Sequence, residues 1–212
     1  MKFIDILKES FRTYKEKFAD SALFGLISSA IGIISLVPIA GAFIYSYFYP
    51  RILRWFAKKI ELLEEEVDLK PAFFALLIPK ILIHIVYVFI LVSLWNLIIS
   101  KGLIGGIGSF ISFMLGYLIP IKIVLIIALI AGMILIYTIY ANVVGRLKEF
   151  KIFPLKSIKL FAVAFVVNLG LSIISVIFDI VPVIGSILRI IFSIVVMIPL
   201  PNIVALRYVK EL

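Results

Sequence analysis

Val181-Pro182-Val183-Ile184-Gly185 stands between two long apolar runs, and Val37-Pro38-Ile39-Ala40-Gly41 echoes it near the start of the chain. Proline has no N–H to donate and glycine tolerates positive φ, so the pair can stop one helix and let another begin. Each stretch therefore reads as a tight turn joining two apolar helices. The residues ahead of the turns repeat as well: Ile33-Ile34-Ser35-Leu36 and Ile173-Ile174-Ser175-Val176. Working outward from both turns gives an all-α fold. It is a polytopic transmembrane helical bundle of about six spans, with interfacial amphipathic helices and a Gly-rich interfacial or re-entrant segment.

Composition points the same way. The chain has 212 residues, of which 64% are hydrophobic, and its mean hydropathy is +1.26. A soluble domain is about half apolar, whereas a helix crossing a bilayer needs about 20 mostly apolar residues. Such runs occupy most of this chain, which reads as one integral membrane domain over residues 1–212. The net charge of +9 does not point to nucleic acid. The basic residues cluster at the ends of apolar runs, where anionic head groups and topology account for them. There is no cysteine and a single histidine, His84, which leaves no thiolate chemistry and no multi-histidine metal site. The first residues alternate charged and apolar and do not form a cleavable signal.

The chain divides into an interfacial helix at 1–18 and hairpins at 19–57, 71–147 and 158–207. In residues 2–18, Phe3, Ile6, Leu7, Phe11, Tyr14 and Phe18 recur at helical spacing between basic residues, which predicts an amphipathic helix in the membrane interface. The first span covers 19–37 and the second 42–56. The acidic connector with Glu61, Glu64, Glu65, Glu66 and Asp68 reads as a solvated helix extension paired with Lys58 and Lys59. Pro71 and Pro79 bracket a second interfacial helix. The third span covers 80–99, the fourth 121–144, the fifth 160–180 and the sixth 183–206.

Counting charge sets the sidedness. Residues 2–17, 51–70 and 146–159 carry five basic residues each, and the two Pro/Gly turns carry none. Basic residues accumulate on the cytoplasmic side, so both termini and both connectors are expected inside a cell membrane and both turns outside. The passage from Lys70 to Arg146 must then cross an even number of times, although it holds three apolar stretches. The shortest, residues 103–118, contains Gly105, Gly106, Gly108 and Gly116 and is expected not to cross.

Ionisable residues inside spans are costly and are functional candidates by default. Lys80 and His84 lie four apart on one helical face; His84 reads either as a proton-relay residue or as a hydrogen-bonded packing residue. Asp179 and Arg189 flank the second turn and read either as a register-fixing pair or as part of a substrate site. Asn96, Asn142 and Asn168 are expected to bond between helices, and Gly25, Ser28, Ser29, Gly32 and Ser35, like Gly170, Ser172 and Ser175, to offer small packing faces. The tyrosines and Trp55 are expected to anchor and pack. A hydrolase needs a base beside its nucleophile and a metal enzyme needs several ligands. Neither set is assembled here, and no nucleotide or HExxH motif occurs. The expectation is a non-enzymatic protein with no cofactor and no bound metal.

The lead-in Lys8-Glu9-Ser10-Phe11-Arg12, the turns at Pro38–Gly41 and Pro182–Gly185, and the exit Asn142-Val143-Val144-Gly145-Arg146-Leu147 carry a resemblance. The chain resembles a family of prokaryotic multi-pass membrane proteins known as a domain of unknown function. It is also similar to the membrane domain of some glycerophosphodiester phosphodiesterases. The resemblance implies about six spans and no assigned activity. The phosphodiesterase catalytic domain has no counterpart in the chain, and no functional residue carries over. Two functions are expected from these readings: a scaffold or accessory subunit, or a small-solute or ion transporter or channel. The expected partners are the lipid bilayer, its anionic head groups at the inner face, and a membrane protein or a second copy of the chain.

Overall fold

A computed structural model describes residues 3–180 and 182–211, with the backbone alone of residues 104, 113, 179, 180, 182 and 183. Among these residues every regular element is helical. Helix α1 (Phe3–Glu16) meets α2 (Phe18–Ile34) at a bend of 92°. Helix α3 (Ala40–Lys59) follows, and an extended connector leads to α4 (Lys70–Val144). Helix α5 (Pro154–Val176) continues through a 3-10 turn (Ile177–Ile180). Helix α6 (Pro182–Phe192), a π turn (Ser193–Met197) and α7 (Pro199–Glu211) complete the chain.

Helix α4 is folded back on itself at Gly102, where φ is 70° and ψ is 173°, a conformation open to residues without a Cβ. Three contacts show that its two arms run antiparallel. A Cβ on Gly106 would stand 2.7 Å from the Ile98 Cα. The rings of Phe89 and Tyr117 lie 5.5 Å apart, and Pro79 faces Gly132. The Gly-rich stretch is thus helical and runs unbroken into the following apolar run. Pro71 sits in the first turn of α4, where the missing N–H costs nothing, and Pro79 lies inside the helix. The separate interfacial helix expected over 71–79 is therefore the opening of the outgoing arm.

Four helices are long and apolar enough to cross a membrane: Lys70–Leu103, Met114–Val144, Pro154–Val176 and Ile184–Glu211. The bent α1–α2 pair raises the number to five if it counts as one broken span. These apolar helices make the protein membrane-embedded.

Burial is unevenly distributed along the bundle. One closed core joins Phe24, Leu53, Phe56, Ala57, Ala72, Ala75, Val143, Val144, Ile203 and Leu206, all near the ends of α3 and α4 that meet the connectors. We call this end the base. Helix α7 is buried almost all round from Pro199 to Leu206 and forms the centre of the base. Away from it, the arms of α4 leave Ile85, Val92, Trp95, Ile99, Leu103, Ile111, Leu115 and Ile119 exposed. Apolar surface of that extent marks a face for lipid or for a partner helix.

The acidic connector differs from the expected helix extension. Residues 62–68 are extended across the base, and their carboxylates find distant partners: Glu64 with Arg146 at 3.0 Å, Glu65 with Lys148 at 2.9 Å, and Glu61 with Lys17 at 3.1 Å. Helix α3 ends because Glu61 takes φ 61° and the Leu62 N–H turns back to the Ala57 carbonyl at 2.8 Å. That closure leaves the chain pointing sideways along the base.

Candidate membrane interface and its polar hub

The hub begins with two prolines. Pro199 and Pro201 have no N–H, so the carbonyls four residues earlier, on Val195 and Met197, lose their helical donors. The backbone widens there, and the Ile198 N–H reaches the Ser193 carbonyl five residues back at 3.0 Å. The Tyr14 hydroxyl donates to the released Val195 carbonyl at 3.2 Å. The Ile194 carbonyl rests on Gly25 so closely that a Cβ there would overlap it.

One residue past the second proline, Asn202 is 8% exposed. Its amide donates to the Ile198 carbonyl at 2.7 Å, and its oxygen accepts the hydroxyls of Tyr49 at 2.9 Å and Tyr140 at 2.7 Å. A single side-chain oxygen thereby joins α3, the returning arm of α4, and α7. Sequence reading assigned the tyrosines to anchoring and packing and missed Asn202. The available signal was an asparagine directly after Pro-Leu-Pro in an otherwise apolar run.

Three cation–aromatic pairs surround this hub. Lys80 lies 4.0 Å above the ring of Tyr45, Arg51 3.5 Å above Tyr47, and Lys156 5.2 Å above Tyr137. Tyr45 and Tyr47 are within about a turn of Tyr49, and Tyr137 is within about a turn of Tyr140. Tyr49 and Tyr140 share the Asn202 oxygen, so the pairs radiate from the hub, but they stand at different heights: Arg51 sits beside Lys70 at the start of α4, whereas Lys80 lies about 15 Å further along that helix. Tyrosine with Lys or Arg is the signature of a membrane–water boundary. The outgoing arm rises about 31 Å from Lys80 to Lys101 at 1.5 Å per residue, close to the thickness of about 30 Å of a bilayer core. Beside Arg51 a cleft of about 340 Å³ opens between Tyr47, Arg51, Asp68, Leu69, Lys70, Phe73 and Phe74.

The sequence-predicted candidates fall in different places. Lys80 and His84 share one face of the outgoing arm, as spaced. Lys80 is half-buried over the Tyr45 ring. His84 is 6% exposed; its Nδ1 lies 2.8 Å from the Lys80 carbonyl and its Nε2 lies 2.9 Å from the Ser35 carbonyl. His84 thus ties the turn after α2 to α4. The expected pair of Asp179 and Arg189 involves a side chain, that of Asp179, that lies outside the described residues, as does Val181 in the turn. Arg189 is exposed in the last turn of α6.

Asn142 does join separate parts of the fold. Its oxygen accepts the Ala72 N–H at 3.2 Å, and its amide donates to the carbonyls of Asp68 at 2.9 Å and Leu147 at 2.7 Å. Asn168 instead donates to the Ala164 carbonyl of its own helix at 2.9 Å and is exposed. At the start of α4, Asp68 accepts the Lys70 N–H at 3.0 Å and pairs with the Lys70 ammonium at 3.1 Å. Those hydrogen bonds from Lys70 hold its carboxyl below the usual carboxylate range. Among the described residues no three His, Cys, Asp or Glu side chains gather as a metal site would require.

No family model, curated protein or solved structure matches the chain.

Proposed function

We propose that this chain is a non-enzymatic integral membrane protein, a scaffold or accessory subunit whose base lies on the cytoplasmic side of a cell membrane together with both termini. One observation carries the reading. The larger polar side chains between the helices are spent on holding the fold: His84 on two carbonyls, Asn142 on three backbone groups, and Asn202 on two tyrosines and a carbonyl. A relay or a substrate site needs polar groups directed at a space that a solute can enter. The cleft supports a lipid partner, with Arg51 meeting a head-group phosphate beside the Lys70–Asp68 pair while Phe73 and Phe74 flank its acyl chain. The basic residues that line the base support its cytoplasmic placement. The arms of α4, then α5, then the run from α6 through α7 supply four crossings, and the α2–α3 hairpin decides between four and six.

Flux measurements on the full chain in proteoliposomes test this reading. The expected result is no movement of monovalent ions or small solutes above that of protein-free vesicles. A flux that disappears in His84→Ala or Asp179→Asn would replace the scaffold with a transporter.

A further inference from the structure

The turn between α2 and α3 is held at a known height. The Ser35 carbonyl meets His84 Nε2 at 2.9 Å, so the tip of that hairpin stands level with His84 on the outgoing arm of α4. From His84 the arm rises a further 27 Å or about that to its own turn at Gly102. Measured from Lys80, the tip of the α2–α3 hairpin stands about 6 Å further along α4. Measured from Lys70, the first residue of α4, it enters the bilayer by about 21 Å, still short of the core thickness of about 30 Å. The tip itself is apolar and bare, with Leu36 67% exposed and Val37 and Ile39 about half exposed. It bears no charged residue of the kind that marks a helix end at a head-group surface, whereas the tip of α4 has Lys101, whose ammonium reaches Ser109 at 2.9 Å.

From this juxtaposition we infer that the α2–α3 hairpin ends within the bilayer core, short of the far surface, and that the protein is a wedge. The near leaflet holds α2 and α3 in addition to the crossing helices. The outer part of the far leaflet holds the crossing helices alone. Each additional helix has a cross-section about 10–12 Å wide, so the near leaflet is spread more than the far one. A molecule of that shape favours membrane in which the base-side leaflet is convex and, when crowded, bends flat membrane that way. This goes beyond the scaffold reading and does not depend on it: flux in proteoliposomes would end that reading and leave the wedge intact.

The chain has no cysteine, so single-cysteine variants of the full-length protein report position directly. Lys59→Cys marks the base, Ser100→Cys the far tip and Val37→Cys the hairpin tip. With a membrane-impermeant maleimide, Ser100→Cys is expected to label only from the side opposite Lys59→Cys, and Val37→Cys from neither side. A bimane placed on Val37→Cys before reconstitution is expected to be quenched by lipids brominated on their acyl chains. Labelling of Val37→Cys from the same side as Ser100→Cys would show a crossing hairpin and overturn the proposal. In mixed phosphatidylcholine and phosphatidylglycerol membranes, the chain is expected to be enriched in small sonicated vesicles over large extruded ones, with Lys59→Cys reactive from outside. Equal density in both, with random orientation, would overturn the wedge even if the hairpin stops short.

Discussion

At the scale of single residues, stability depends on a few polar atoms that water cannot reach. Asn202→Leu leaves two buried tyrosine hydroxyls and the released end of α7 without their shared partner. Each unsatisfied group costs about 1–3 kcal/mol, so the variant should lose about 3 kcal/mol in detergent unfolding titrations. In a double-mutant cycle with Tyr140→Phe, the cost of Asn202→Leu should fall, because the stranded hydroxyl is gone. Ile39 makes the opposite case. Its φ of 59° and ψ of −62°, with the Ala40 N–H bonded to the Pro38 carbonyl at 2.6 Å, form a γ-turn that a β-branched residue adopts only under strain. Such strain is worth about 1–3 kcal/mol, and glycine returns part of it as chain entropy. Ile39→Gly should therefore stabilise the fold by about 1 kcal/mol in the same titration; destabilisation would show that the isoleucine side chain matters more than the backbone. The proline–glycine signal located this turn correctly but could not show that the strained residue is the isoleucine between them.

At the scale of elements, what was legible is what local chemistry determines, and what was not depends on contacts between distant segments. The apolar runs, the bend after Lys17 and the role of Asn142 in joining segments follow from periodicity and polarity. The helical continuity of the two arms of α4 does not, because Pro79 and the glycines of 103–118 are local helix-breaking signals; Gly106 packs closely against the other arm, while Gly108 and Gly116 have nothing within 4 Å. The acidic connector looked helical from its glutamates, yet Arg146, Lys148 and Lys17 draw them out across the base. Among the small residues of α2, Gly25 is used and Gly32 has nothing within 4 Å. Gly25→Ala should cost about 2 kcal/mol or more, since the Ile194 carbonyl is backbone and overpacking cannot be relieved by a rotamer; Gly32→Ala should be neutral or better in thermal unfolding. The first turn of α4 carries the pH response. Asp68 is held below the usual carboxylate range by Lys70, so its contribution is complete above the unfolded value of about 3.9 and is lost as pH falls through the lowered folded value. Amide exchange in that turn, corrected for its intrinsic pH dependence, should show constant protection from about pH 5 to 8 and weaken only below that window.

At the scale of the whole molecule, the two halves of the bundle obey different rules. The base is closed by ordinary core packing and a rim of ion pairs, and the arms of α4 beyond His84 meet mainly each other and lipid. The base also depends on the farthest-separated parts of the sequence. Arg207 donates to the Thr13 hydroxyl at 2.5 Å, across 194 positions, and Tyr14 reaches Val195. The helix at its centre, α7, contacts α1, α2, α4 and α5. A chain made from its N-terminus thus threads both arms of α4 and α5 into the bilayer before the central post of its base exists. Until α7 arrives, Leu53, Phe56, Ala72 and Val143 surround an empty slot at the membrane surface. During that interval the nascent protein should bind chaperones and be open to proteases, although the finished protein is sealed.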